Sequence, residues 1–489
     1  MLIKWGSPVL SPILTTLYQS FIDIGSYPDI FKIAKVTALH KGGSISDLDN
    51  YRPISVLSHL NKILEKLIDV RLRDFMDEHS LFTNTQFGFR KGHSTSHGIT
   101  KLHDKIIESL EDKMICAVLF IDLKSAFDTI DHCILAKKLK HIGIKGNILQ
   151  LLISYLENRK QFIKSDDIIT TLVSVLCGVP QGSVLGPLLF VIYINDFANC
   201  SKLNSILFAD DAAIVHEHKS LKHLQKQLNS EADKLNQWFI ANKLTLNLKK
   251  TKLMLFNKQK LKPNALKKFK LNINKTNIEQ VDQIKYLGVI LDNKLNWHSH
   301  IEYICTKLSR AAGVIFKMRN ILPRRALLMI YNSLGASYLR YGVMSWGTAR
   351  TTALAKLKVL QNKIIRYITH SPLLTNVTAQ YRLLSILNVH QLLTLETAKF
   401  MFKQSKSQLP KAFDEHFPHI NHTHQTRTKR KAIYSLLRPR TDLGKRSTKF
   451  FAIKLWSEVD EEVKNIDKID TFNAKIKTML LSGSFNPQI

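Results

Sequence analysis

Three aspartates sit where an aspartate is costly. Asp210 and Asp211 interrupt the apolar run SILFADDAAIV, residues 205–215. Asp122 closes a second apolar run, ICAVLFI, residues 115–121. A carboxylate in apolar surroundings must shift its pKa, find a partner or bind a metal. The flanks of the Asp pair, rich in Ile, Val and Phe, read as two short strands meeting at the aspartates. Residues 115–121 read as a buried strand. Two strands from distant parts of the chain can bring three carboxylates to one end of a sheet. Mg²⁺ takes oxygen ligands and keeps waters and substrate phosphates as the rest. Two such ions, about 3.5–4 Å apart, clamp the attacking and leaving oxygens of an in-line phosphoryl transfer. The plain alternative is an Asp-rich turn facing solvent.

Between the two acidic strands lies GVPQGSVLGP, residues 178–187. Gly178 and Gly182 let backbone approach a ligand closely. Pro180 stiffens the bend, and the Gln181 amide both donates and accepts. A stiff glycine loop with one amide suits packing against a base pair without choosing its sequence. An ordinary strand-to-helix loop reads equally well.

The elements that must position these groups follow from periodicity. Leu14–Tyr18 and Phe21–Ile24 read as helix, and Val36–Leu39 as strand. Residues 61–79 carry apolar positions at helical spacing with mixed charge, an amphipathic helix. Residues 133–157 read as helices and 170–176 as strand. Ser183 is placed to cap a long apolar helix, with Pro187 in its first turn or so, where proline is tolerated. Residues 220–242 form another amphipathic helix. Strands mixed with helices up to about residue 293 predict an α+β region. From His298 onward the pattern is helical. Hydrophobic periodicity fades over 404–450, where Pro, His and basic residues crowd together, and returns around Trp456.

Composition narrows the partners. The 489 residues are 45% hydrophobic, enough for a large core, and carry a formal net charge of +32. Chains this basic usually meet a polyanion. An anionic membrane is the other candidate. The best apolar run, 184–194, falls short of the about 20 residues a span needs. No basic-apolar-small signal peptide opens the chain, so the expected location is nucleus or cytoplasm, not outside the cell. The five cysteines show no CxxC pairing, which fits a reducing compartment and argues against a zinc knuckle. His416, His419, His422 and His424 cluster in HFPHINHTH. A solvated loop is the plain reading there, and metal binding the sharper one.

Taken in order, FIDLKSAFDTIDH (120–132), GVPQGSVLGP and FADD (208–211) resemble the palm motifs of reverse transcriptases. The resemblance is closest to non-LTR (LINE-type) retrotransposons of the jockey-like group. HKGGS (40–44), NYRPISVL (50–57) and QFGFRKGHST (86–95) resemble the fingers motifs. LTLNLKKTKLM (244–254) and YLGVILD (286–292) resemble the last two palm motifs. LRYGVMSWG (339–347) and LWSEVDEEVKN (455–465) resemble that group's thumb and tail.

The resemblance implies a right-hand polymerase: fingers and an N-terminal extension over 1–110, palm over 111–295 with part of the fingers interleaved, helical thumb over 296–404, and a basic C-terminal region over 405–489. It implies an RNA-directed DNA polymerase that extends a DNA primer on an RNA template with dNTPs, using two Mg²⁺ ions or Mn²⁺ in their place. Asp122 and Asp210 are the implied principal metal ligands, helped by the Leu123 carbonyl, with Asp211 the weaker third. Phe127 is the implied steric gate against a 2′-hydroxyl; a plain core role is its alternative. Asp128, Asp131 and His132 are expected to hold a helix N-terminus. Lys41 and Arg52 are candidates for gripping the triphosphate, and Lys250, ahead of Lys252, for the triphosphate or the departing pyrophosphate. Arg90, with Lys91, is expected to touch the template backbone or support the fingers. Tyr286, Leu287 and Gly288 form the expected primer grip. Gln181, followed by Gly182, is placed against the nascent base pair.

Basic clusters at 258–262, 267–270, Arg324–Arg325 and 427–431 read as sequence-neutral phosphate contacts. The last, TRTKRK, also matches a nuclear-import pattern or a plain basic tail. Fingers-like sequence begins within about 40 residues of Met1, too little for a preceding domain of typical size. The upstream endonuclease of this group is therefore expected to be missing and its role taken by a separate protein. Two rival readings remain: a non-catalytic nucleic-acid-binding remnant of such an element, and an RNA-dependent RNA polymerase, against which Phe127 argues.

Overall fold

The computed structural model describes residues 5–165, 168–259, 264–418, 434–435 and 438–487. The chain opens with helix α1 (Ser7–Ile24). β1 (Ile33–His40) and β2 (Tyr51–Val56) then pair antiparallel. Helices α2 (His59–Glu78) and α3 (Thr95–Glu111) lead to strand β3 (Ile115–Ile121). After α4 (His132–His141) and α5 (Gly146–Leu156) the chain returns to the first sheet as β4 (Arg159–Ser165), β5 (Ile168–Ile169) and β6 (Val173–Val175). That sheet has the order β2-β1-β4-β5, with β6 also on β4. Its strands thus come from either side of β3 in sequence.

Helix α6 (Gly186–Ile194) precedes the hairpin β7 (Asn204–Phe208) and β8 (Asp211–His218). Helix α7 (Leu221–Ala241), β9 (Lys252–Phe256) and the short β10 (Glu279–Gln280) follow. The second sheet runs β10-β9-β3-β8-β7, with β3 at its centre. A separate hairpin, β11 (Gln283–Tyr286) and β12 (Val289–Asp292), closes the mixed region.

β3 is buried on both faces, and its alternation feeds two cores. Cys116, Val118 and Phe120 pack with Ile99, Leu102 and Ile106 of α3 and with apolar side chains of the helical second half. Ala117, Leu119 and Ile121 pack with Leu64 and Ile68 of α2, Leu151 of α5, Leu189 of α6 and Leu228 of α7. α6 is apolar on every side and buried at every position but Pro187, as a central helix must be. Its first residue is Gly186, three beyond Ser183. The Ser183 hydroxyl still accepts from the Gly186 N–H at 3.0 Å and so acts at the helix start. α1 begins at Ser7, seven residues before the expected Leu14, and carries Pro12 inside it.

The second half is helical, as expected. α8 (His298–Met318) lies along α12 (Thr351–Thr369), with α9 (Arg324–Tyr331), α10 (Ser337–Arg340) and α11 (Val343–Trp346) between them in sequence. α13 (Thr378–Leu383) leads to α14 (Val389–Ser405), which packs against α15 (Thr448–Glu458) and α17 (Ile469–Ser482); the single turn α16 (Glu461–Lys464) connects the last two. One apolar core runs from Phe87 through Tyr286 to Phe485 without a break at 295. Among the described residues no helix is long and apolar enough to cross a membrane, and all five cysteines are free thiols. His419, His422, His424 and the basic run 427–431 lie outside the described residues, as do Lys260 and Lys262.

Candidate active site

The register of the central sheet converges the acidic groups. Ile121 of β3 pairs with Ala212 of β8, so the next positions, Asp122 and Asp211, meet at the same sheet end. Phe208 pairs with Asp211, which leaves Ala209 and Asp210 as a two-residue turn. Ala209 takes a φ of +55°, as such a turn requires. Asp210 and Asp211 feel each other and Asp122. Burial and the Asp122 charge raise the Asp210 carboxyl, while Arg52 pulls it back. Asp211 is pushed up to about 6 by burial, then by Asp210 and Asp122. Like charges this close are the reason a cation is favoured between them.

The backbone beyond β3 is also fixed. Lys124 N–H donates to Thr245 and Asn247 N–H donates to the Asp122 carbonyl, each at 2.9 Å. These bonds use the groups flanking Leu123 and leave its own carbonyl on the opposite edge. The donor set is therefore carboxylate and carbonyl oxygen, the chemistry of a hard divalent cation. Among the described residues no three His, Cys, Asp or Glu side chains form a closed metal cage. An ion that keeps waters and substrate phosphates needs none.

A cleft of about 620 Å³ opens in front of these groups. Asp122, Asp210, Phe127, Lys41, Arg52, Gln181 and Lys250 all line it. Lys41 and Arg52 come from β2 and the turn before it, so the first sheet forms the opposite wall. Lys252 is tied to Glu279 in an ion pair, whereas Lys250 also lines a smaller cavity of about 90 Å³ beside Asp211. Phe127 stacks on Phe190 of α6 with centroids 4.6 Å apart, and Phe89 meets it edge-on at 6.1 Å. The ring is clamped from behind and open to the cleft.

The glycine loop is held by its neighbours rather than left free for a ligand. A Cβ on Gly178 would lie 2.7 Å from the Asp128 backbone, and one on Gly182 2.7 Å from the Ser55 carbonyl. The Gln181 carbonyl accepts from Ser55 N–H at 2.7 Å. Its side-chain amide donates to both Asp128 oxygens at 2.8 Å. Gln181 thus borders the cleft while pinned to Asp128, and Gly182 is a contact to β2. Asp128 holds Gln181 and not a helix end; that task falls to Asp131, which accepts from Ile134 N–H at 2.9 Å at the start of α4.

Arg90 and Tyr286 are both engaged within the protein. The Arg90 guanidinium donates to the Thr83 carbonyl at 2.8 Å and lies 4.7 Å over the Phe82 ring. Tyr286 is buried against Phe120 at 5.2 Å, with no partner for its hydroxyl among the described residues. Burial and Asp211 raise its phenol, and its ring packs under the strand that leads to Asp122. Leu287 and Gly288, at φ +43° and +83°, form the hairpin tip, Leu287 half-buried against the core and Gly288 exposed. The Tyr341 hydroxyl donates to the Leu287 carbonyl at 2.5 Å and anchors that tip to the helical half.

Two buried residues escaped the sequence reading. Gln86 accepts through Oε1 from Ala209 N–H at 3.0 Å and Gly88 N–H at 2.7 Å. Phe87 and Leu207 complete a short ladder beside it. The QFGF segment is therefore the cradle of the Ala209–Asp210 turn. Glu65, fully buried, accepts from the Val184 and Leu185 N–H groups at the start of α6 and from Asn61 and Tyr155. Burial raises its carboxyl, against those hydrogen bonds.

Residues 39–291 match the family model described as reverse transcriptase (RNA-dependent DNA polymerase). The chain belongs to that family. The "Probable RNA-directed DNA polymerase from transposon BS" of Drosophila melanogaster is 30% identical over 403 residues, 79% of this chain and 44% of that protein. The "RNA-directed DNA polymerase from mobile element jockey" of the same species is 31% identical over 373 residues, 73% of this chain and 40% of that protein. These relatives bear out the jockey-like, non-LTR resemblance, and the chain spans less than half their length. Apo telomerase from Candida tropicalis aligns with a TM-score of 0.42 at 9% identity, over 83% of this chain and 72% of that one.

Proposed function

We propose that this chain is the RNA-directed DNA polymerase of a non-LTR retrotransposon, extending a DNA primer on an RNA template by two-metal nucleotidyl transfer. The observation that carries the reading is the register that sets Asp122 beside Asp210 and Asp211 at the mouth of a cleft whose facing wall carries Lys41 and Arg52. Asp122 and Asp210, with the Leu123 carbonyl, would hold Mg²⁺ or Mn²⁺, and Asp211 would assist. Bound there, such ions supply activation of the primer 3′-hydroxyl and neutralisation of the departing pyrophosphate. Arg52 and Lys41 orient the triphosphate from the facing wall, Arg as a fork and Lys as a point charge. Lys250 steadies the charge that builds on the departing side. Phe127, backed by Phe190, closes the space a 2′-hydroxyl needs. Leu287 and Gly288 meet the primer strand.

The division into fingers, palm, thumb and basic C-terminal region at 110, 295 and 404 belongs to this reading. Strands β4 to β6, returning to β1 and β2, support the interleaved fingers. A nicking endonuclease would supply the primer terminus, and the site of action would be nucleus or cytoplasm. Purified chain given RNA template, DNA primer, Mg²⁺ and dNTPs should extend the primer, and Asp210→Asn should reduce extension to background. Equal extension by both would overturn the metal assignment. Tight, salt-sensitive RNA binding with no extension under any metal would instead identify a non-catalytic remnant.

A further inference from the structure

Far from the catalytic cleft, the C-terminal half holds a second cavity of about 590 Å³. It lies between α12, the loop before α13, the start of α14 and the end of α17. Its size falls in the range of sites that bury a small organic group. Its chemistry is one-sided. Lys358, Arg366 and Arg382 line it, and no Asp or Glu does. Lys358, Asn362 and Arg366 are four residues apart, so one face of α12 delivers all three.

The polar groups divide into fixed and free. Arg366 is committed, donating twice to the Thr375 carbonyl at 3.1 and 3.0 Å. That contact shapes the loop wall. Tyr381 donates to Asn362 at 2.9 Å, and Gln391 donates to the Leu480 carbonyl at 2.7 Å. Among the described residues Lys358 has no hydrogen-bond or ion-pair partner, and Arg382 bonds to the Ser482 carbonyl at 3.3 Å. The Asn376 side-chain oxygen takes the Thr378 N–H and leaves its amide hydrogens for a ligand. In the chain segment that carries Asn376 and Arg382, Leu374 is 97% exposed, Leu373 67% and Leu383 66%. Three bare leucines on one segment are unexpected on a surface meant only for water.

We propose that this cavity binds an unpaired nucleotide of single-stranded RNA. Lys358 and Arg382 take the flanking phosphates. The base enters the cavity, where Asn362 and Asn376 present amide edges and Val377, Leu480 and Phe485 cover its apolar faces. Single-stranded RNA is recognised in this way, by splayed bases contacted at their faces and edges. An acidic peptide would satisfy the cations but leaves the amides and the base-sized hollow unexplained. The inference does not depend on the catalytic reading.

The test uses the full chain and a fluorescein-labelled ten-nucleotide oligouridine RNA containing one 5-iodouridine. Lys358→Ala with Arg382→Ala is compared with Lys137→Ala with Lys140→Ala, which removes the same charge from exposed positions on α4. The first pair should weaken binding at least tenfold at 150 mM salt and make the log–log salt slope shallower by about 1.4, the value for two single-strand phosphate contacts. The second pair should stay within twofold of the parent. Lys358→Arg with Arg382→Lys should retain binding, and photocrosslinks should fall within 358–391 or 480–486. Equal losses from both alanine pairs, or crosslinks elsewhere, would overturn the site. Displacement by inorganic phosphate or by polyglutamate at matched concentration would replace the RNA strand with a free phosphate or an acidic peptide, and so would also overturn it.

Discussion

The gate proposed at Phe127 rests on what stands behind the ring. Stacked on Phe190 and flanked by Phe89, it has little freedom to step aside for a bulkier sugar. Phe127→Ala should leave dNTP extension measurable and reduce discrimination against rNTPs by about tenfold or more, read as the ratio of kcat/KM for matched dNTP and rNTP. Unchanged discrimination would return the ring to a plain core role. Gln181 makes the complementary case. Gln181→Leu leaves the Asp128 carboxylate, already raised by burial, without its amide, so the loop against β2 should loosen and KM for dNTP should rise. The residue types at the site were legible in the sequence because apolar runs ending in Asp have few explanations. Their partners were not. Arg90 carries the same charge whether it points at a template or at Thr83 and Phe82.

At the level of elements, the catalytic turn depends on a segment outside the sheet. A Cβ on Gly88 would lie 2.3 Å from Ala209 N, which no real contact tolerates. Gly88→Ala should therefore displace the Ala209–Asp210 turn, lowering kcat far more than affinity for primer–template. Gln86→Leu strips the acceptor from two N–H groups. Each buried donor left unpaired costs about 1–3 kcal/mol, so urea unfolding should show a loss of that order. A variant as stable and active as the parent would sink the cradle assignment. Helices α2 and α7 were readable from their period, and strand β3 and helix α6 from unbroken apolar runs. The Gln86 and Glu65 contacts were not, because their backbone partners lie 123 and 119 residues further along, and no local pattern encodes that distance. The start of α1 was hidden for a simpler reason: Pro12 sits inside the helix and reads as a break.

Across the whole molecule, α3 joins the catalytic sheet to the C-terminal helices through carboxylates. Asp104 accepts from Thr448 N–H at 2.8 Å, Glu108 pairs with Lys449 at 3.1 Å, and Glu111 accepts from Arg440 N–H at 2.7 Å. Asp104 is fully buried, and burial pushes its carboxyl up to about 7, against the Thr448 and Lys449 contacts. His416, 3.8 Å away, is driven down to about 2 by burial and by Lys101 and Lys449. The pair is therefore not an ion pair at neutral pH. A carboxyl raised in the fold contributes stability below its unfolded pKa of 3.8 and loses it as pH rises through about 7. Asp104→Asn keeps the acceptor for Thr448 and removes this titration. Its melting temperature relative to the parent should climb between pH 5 and 8; a flat difference would disprove the shift. Nothing in the α3 sequence announces that interface, since i, i+4, i+7 acids on a helix ordinarily mark a solvated face.

Because the side chains of β3 alternate between two cores, the strand bearing Asp122 is a seam that neither half of the chain can close alone. A fragment ending near residue 295 would keep α3 over Cys116, Val118 and Phe120 but bare the side of α3 that packs against the C-terminal helices. Such a fragment should precipitate or be recovered only with the missing half supplied in trans, so split-chain complementation would report on the integrity of the fold without reference to its chemistry.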